Sequence, residues 1–131
     1  MIKYKRRNIY KYTLYEDYHY ALGIKFLQPI ITKPIEINRK GIITIHKGYS
    51  WDGPSGPTID TPNFMRGSLV HDALYQLMRA GLLSQSAREL ADKVLYSICR
   101  EAGMSKLRAL FVYYGVRFGG RSSTQDVFEA P

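Results

Sequence analysis

The stretch Gly48-Tyr49-Ser50-Trp51-Asp52-Gly53-Pro54-Ser55-Gly56-Pro57-Thr58-Ile59-Asp60 puts three glycines and two prolines within ten residues. Regular helix or strand does not carry that density, so this segment is expected to be an irregular loop. It divides the chain into two halves that read differently. Before it, Ile9-Tyr10-Lys11-Tyr12-Thr13-Leu14-Tyr15 is rich in β-formers, with Tyr10, Tyr12 and Leu14 on one face. Glu16-Asp17 supplies a turn, and residues 18–22 run back. Ile35 to Asn38 and Ile42 to His46 are two further short strands. Arg39-Lys40-Gly41 joins them, with Gly41 free to take a positive φ. Pro29 and Pro34 bracket the intervening segment and argue against a long central strand there.

After the loop the period changes. Thr61-Pro62 has the form of an N-cap followed by proline at the first helical position, and the helix is expected to run to Arg79 with Gly81 closing it. A second helix starts near Ser84 or Ser86 and ends before Gly103, with Leu90, Ala91, Val94, Leu95 and Ile98 as its apolar stripe. Ser105 caps a third, which ends at Gly119-Gly120. The expected class is α+β: a small N-terminal antiparallel β-sheet followed by a three-helix C-terminal half. At 131 residues one domain is expected, over 1–120, with 121–131 a polar tail.

Charge narrows the partners. Residues 1–50 hold ten Lys/Arg against three Asp/Glu, and residues 51–131 hold nine against eight, so nearly all of the net +8 lies in the first half. Six of the eleven tyrosines fall within the first twenty residues. A basic, aromatic surface favours an anionic partner: a phospholipid membrane, nucleic acid or an acidic protein. Equally, those tyrosines can be half-buried strand residues alternating with solvated lysines. Cys99 is the only cysteine, which excludes an intramolecular disulfide and a multi-cysteine zinc site. Charges or Gly/Pro interrupt every apolar run, so no transmembrane segment is expected. The basic N-terminus leads into no apolar core, so no signal peptide is expected and the cytoplasm of the producing cell is the inferred location.

Candidate chemistry lies in His71-Asp72-Ala73-Leu74-Tyr75. His71 and Tyr75 are four apart and share a helix face, while Asp72 projects about 100° further round. A short connection around Gly81 makes the first two helices antiparallel neighbours. His71 precedes Gly81 by ten residues and Asp92 follows it by eleven, so the two are expected to meet, within about 2.6–3.2 Å. An aspartate bonded to one imidazole nitrogen fixes the tautomer and leaves the other as a base. Tyr75 could bond the same aspartate. The alternative is a core histidine satisfied by Asp92, without catalysis. In the loop, Asp52 and Asp60 add carboxylates to exposed carbonyls, a donor set that suits hard cations such as Ca²⁺; the alternative is a rigid connector whose aspartates cap turns.

The order of these motifs resembles two groups of proteins. Lys47-Gly48-Tyr49, then Asp52-Gly53-Pro54-Ser55-Gly56-Pro57, then His71-Asp72-Ala73-Leu74-Tyr75, then Ala91-Asp92 is similar to an uncharacterised domain family of tailed phages and prophages. That resemblance implies a phage source, with host cytoplasm or virion as the location. The same order resembles secreted phospholipase A2. By that resemblance His71 would activate water, Tyr75 and Asp92 would support it, and Asp72 with loop carbonyls near Trp51, Gly53 and Ser55 would bind Ca²⁺. The cysteines of that family are absent here, and prolines stand where its loop favours glycine.

Two functions follow as expectations. One is a small phage-encoded hydrolase performing calcium-assisted ester hydrolysis, on phospholipid. The other is a non-catalytic virion or assembly protein that contacts other phage proteins and whose His-Asp-Tyr cluster only locks its helices. Alternatives fare worse: Gly53-Pro54-Ser55-Gly56-Pro57 is not a nucleophile elbow, too few further His and Asp are available for a metal phosphohydrolase, and no helix is basic enough for DNA recognition.

Overall fold

The computed structural model describes residues 4–6, 12–51 and 62–119. The chain divides into two compact units, Met1–Asp52 and Gly53–Pro131.

Among its described residues the first unit is β and antiparallel. One sheet has the order β1 (Tyr4–Arg6), β2 (Tyr12–Leu14), β7 (Ser50–Trp51). The other has the order β3 (Tyr18–Ala21), β6 (Ile42–Ile45), β5 (Ile35–Ile37), β4 (Ile30–Ile31). Register follows from which β-branched residues are buried. Ile35 pairs with Ile45 and Ile37 with Ile43, and all four are fully buried, while Glu36 and Thr44 face outward as a pair. The turn between β5 and β6 closes as expected on Gly41, at φ +85°, whose amide donates to the Asn38 carbonyl at 2.9 Å. A Cβ at Gly41 would also strike the Ile24 backbone carbonyl, so only glycine fits.

Three strands were not expected from the sequence. β4 is a two-residue edge strand after Pro29, which suits the bracketing prolines. β1 falls in the basic N-terminal run. β7 corrects the reading of 48–60 as irregular throughout: Ser50 and Trp51 pair with Thr13 and Tyr12, and the two hydroxyls of Thr13 and Ser50 lie 2.9 Å apart. The pairing arises because Gly48, at φ +97°, turns the chain so that its amide donates to the Leu14 carbonyl.

A clasp of three titratable groups lies on this unit. His46 Nε2 is 2.6 Å from Glu36 Oε2, and its Nδ1 is 3.2 Å from Asp17 Oδ2. The Lys47 amide donates to the other Asp17 oxygen at 2.7 Å. Carboxylates only accept, so an imidazole that bonds both must donate twice, which requires the protonated ring. Glu36 first, then Asp17, holds the His46 pKa above its ordinary 6.5, and the Lys47 amide, then His46, holds Asp17 below its ordinary value. The stabilisation from His46 is therefore complete below pH 6.5 and is lost as pH rises through the raised value. That from Asp17 is present above its ordinary value and is lost in acid. A proton NMR titration is expected to place the His46 midpoint above 6.5, and Glu36→Gln to bring it back down. An unshifted wild-type midpoint would mean the clasp does not hold in solution.

The second unit is helical: α1 (Pro62–Arg79), a short 3₁₀ turn (Gln85–Ala87), α2 (Arg88–Glu101) and α3 (Lys106–Gly119). The boundaries follow the expected punctuation. Gly81 and Gly103 take positive φ at the two turns, and the Arg108 amide donates to Ser105 Oγ at 3.3 Å. Thr61 and the tail 121–131 lie outside the described residues. α1 and α2 pack closely where α1 carries Gly67: a Cβ there would come within 2.8 Å of Leu95 and 3.0 Å of the Cys99 sulfur. Phe64, Leu95, Cys99, Met104, Ala109 and Val112 form a core shared by all three helices. No helix among the described residues is long and apolar enough to cross a membrane.

Candidate functional site

Asp92 organises the helical unit. It sits on the apolar side of α2, beside Ala91 and Leu95, and none of its surface is exposed. A buried carboxylate must be matched by donors, and here they come from all three helices. His71 Nε2 lies 2.7 Å from Asp92 Oδ1, and the Tyr75 hydroxyl donates to the same oxygen at 2.6 Å. Arg117, in the last turn of α3, donates from Nη1 to Oδ2 at 2.9 Å. Arg88, one turn before Asp92 on α2, has Nη1 at 3.8 Å from Oδ2 and donates to the Arg117 carbonyl at 3.2 Å. The Arg88–Asp92 pair uses the i,i+4 spacing of a helix face.

These contacts set the protonation states. Burial works to raise the Asp92 pKa, and the bonds from His71, Tyr75 and Arg117 more than reverse it, so the carboxyl is held below its ordinary value. Burial, then the bond to Asp92, pushes the Tyr75 hydroxyl up, so it stays protonated and donates. Asp92 likewise raises Arg117. Facing an ionised carboxylate, Nε2 of His71 must carry a hydrogen. In neutral imidazole the free lone pair is then on Nδ1. Nδ1 has no hydrogen-bond partner among the described residues. The side chain is mostly enclosed, with 13% of its surface exposed. Tyr75 tilts against the imidazole with ring centroids 4.0 Å apart, which limits rotation of the ring.

His71, Tyr75 and Asp92 thus come together as their spacing predicts, and the expected His71–Asp92 distance is met. The two arginines were not anticipated. Arg88 was legible from its i,i+4 relation to Asp92. Arg117 carried no local signal, because its approach depends on how α3 packs on α2. Of the expected cation ligands, Asp72 and Trp51 lie among the described residues. Asp72 is half-buried on α1. Trp51 is 1% exposed in β7 of the other unit, its ring 5.5 Å from that of Tyr12. Gly53 and Ser55 lie outside the described residues. Among the described residues no group of three or more His, Cys, Asp or Glu is placed to hold a metal ion.

No curated protein and no solved structure matches the chain. A family model described as "Protein of unknown function (DUF1353)" matches residues 30–116. The match runs from β4 through most of α3 and takes in His71, Tyr75, Arg88 and Asp92, stopping one residue short of Arg117. Spanning well over half of the sequence, it makes the chain a member of this family of proteins of unknown function.

Proposed function

We propose that the chain is a small phage-encoded hydrolase in which His71 is the general base, acting on an ester and most naturally on a phospholipid. The observation that carries this reading is the orientation of His71: Nε2 tied to a buried carboxylate, Nδ1 without a partner among the described residues. In such a site a water hydrogen-bonded to Nδ1 gives up its proton as its oxygen attacks the ester carbonyl. The imidazolium formed is stabilised by Asp92, which stays ionised. The same Nδ1–H then returns the proton to the leaving alkoxide. Tyr75 holds Asp92 and packs on the imidazole, so it positions rather than reacts. The phage source rests on the motif resemblance alone.

Calcium belongs to this proposal. Asp72, next to His71 in the chain, supplies a carboxylate, and the segment from Trp51 through Gly53 and Ser55 supplies carbonyls, the hard oxygen donors Ca²⁺ prefers. A site of one carboxylate and several carbonyls would not form a cluster of acidic or histidine side chains. When bound, the ion would polarise the ester carbonyl and offset the oxyanion charge. Hydrolysis of a fluorogenic phospholipid is expected in millimolar calcium and is expected to vanish with chelator or in Asp72→Asn. Calorimetry should show calcium heat in the wild type and none in that variant. Activity indifferent to chelator would remove the metal and leave the His71 base.

A second reading is favoured by Arg117 and Arg88. Both arginines lie against Oδ2 of Asp92, Arg117 at 2.9 Å and Arg88 at 3.8 Å. They also tie α3 to α1 through one buried atom group. A virion or assembly protein that must hold its helices rigid would use the same network without chemistry.

A further inference from the structure

α3 is built in reverse of an ordinary surface helix. Its buried residues are the small Ala109 and Val112, while its largest apolar side chains point away from the core. Leu107, Phe111, Tyr114 and Phe118 are 81%, 64%, 54% and 88% exposed. At about 100° per residue, spacings of four, three and four place them in one stripe about 60° wide, opposite the buried face. A row of this kind left in water marks an interaction surface.

The charges beside it identify the partner. α3 contains Lys106, Arg108 and Arg117 and no acidic residue. Arg117 is committed to Asp92. Lys106 and Arg108 lie about 100° to either side of Leu107, so the stripe has a basic flank on each side. On the Lys106 side, Leu110 and Tyr113 of α3 line a shallow groove with Tyr96 and Lys93 of α2. The Tyr96 and Tyr113 rings meet edge to face at 6.3 Å. Lys93 has Glu89 at 3.7 Å, a solvated pair. An apolar stripe with aromatic and basic borders is the composition of a helix lying in a bilayer interface, with cations at phosphate depth and rings at the acyl boundary. A second copy of the chain would present the same acid-free helix on a chain of net charge +8, and so offers no complement.

We infer that the outward face of α3 docks on an anionic phospholipid bilayer. The inference deepens the hydrolase reading and rests on it for the biological use of the surface, but its test needs no turnover. The full chain is sedimented with ether-linked vesicles, of phosphatidylcholine alone or with phosphatidylglycerol, in chelator. Ether lipids have no ester to cleave. Binding is expected to the anionic vesicles only, and to weaken with salt. Phe111→Ser with Phe118→Ser is expected to weaken it by about 100-fold, on the basis of about tenfold or more per phenylalanine. Helical content and melting temperature should be unchanged, because both rings are already exposed. Absence of wild-type binding, or binding untouched by the double variant, overturns the inference. So does a dimer in sedimentation velocity that the double variant dissociates, or an oligonucleotide retained by the same face in place of vesicles. Binding intact with no hydrolysis of any ester sinks the hydrolase and leaves the surface; the converse sinks the surface alone.

Discussion

Asp92→Ala is expected to lower the melting temperature of the helical unit by about 10–20 °C. The carboxylate is fully buried, and it alone accepts from His71, Tyr75 and Arg117. Removing it leaves a guanidinium, an imidazole N–H and a phenol without their acceptor at the junction of three helices. Breaking a buried ion pair from one side costs about 3–5 kcal/mol, and at this chain length each kcal/mol moves the midpoint by about 3–5 °C. Asp92→Asn should cost less, since its carbonyl can still accept, although its amide N–H then confronts donors. Circular dichroism at the helical band follows the change. Acid should mimic it. The Asp92 carboxyl is held below its ordinary value, so its stabilisation is present above that value and is lost as pH falls through the lowered one. A melting temperature unmoved by Asp92→Ala would show that the network bears little of the fold.

His71→Gln is expected to reduce ester hydrolysis by about 10²–10⁴-fold, the usual worth of a positioned base, while moving stability by no more than about 1 kcal/mol. A glutamine amide can place an N–H near the site of Nε2 and so keep a donor on Asp92, but it offers no basic lone pair where Nδ1 stood. The two variants separate the readings of the site. A hydrolase loses its rate in His71→Gln and its fold in Asp92→Ala. A structural cluster loses its fold in Asp92→Ala, and the wild type hydrolyses no lipid or ester at all. A His71→Gln protein as active as the wild type would remove His71 from the chemistry.

Much of the site could be read before the fold was known, because its geometry is helical and local. The four-residue step from His71 to Tyr75 fixes a shared face. The near-equal distances from Gly81 to His71 and Asp92 fix the meeting point across an antiparallel pair. Arg117 escaped because its contact spans 25 residues and the turn between α2 and α3. The β half shows the same division. The Gly41 turn and the Ile35–Ile37 and Ile42–Ile45 pairing follow from alternation and one glycine. β7 does not, since two residues become a strand only because the β2 edge is there to pair with them, far away in sequence. Proline and glycine density reports what a segment resists locally, not which edge will recruit its ends. The exposed row on α3 was hidden for a related reason: Leu107, Phe111 and Tyr114 sit at helical spacing, and periodicity alone assigns such a row to the core.

The tight crossing of α1 and α2 at Gly67 seals the chain's only thiol. Cys99 has no exposed surface, and burial pushes its pKa up to about 12. Oxidants, disulfides and soft metals all react with the thiolate, which at neutral pH scarcely forms here and has no path outward. The thiol of the folded chain is therefore indifferent to redox conditions. An oxidising space gives it no crosslink to a second copy, and a reducing one takes nothing away. The chain's stability rests on packing and on polar contacts, the Asp92 network and the His46 clasp among them, that a change of redox conditions leaves in place.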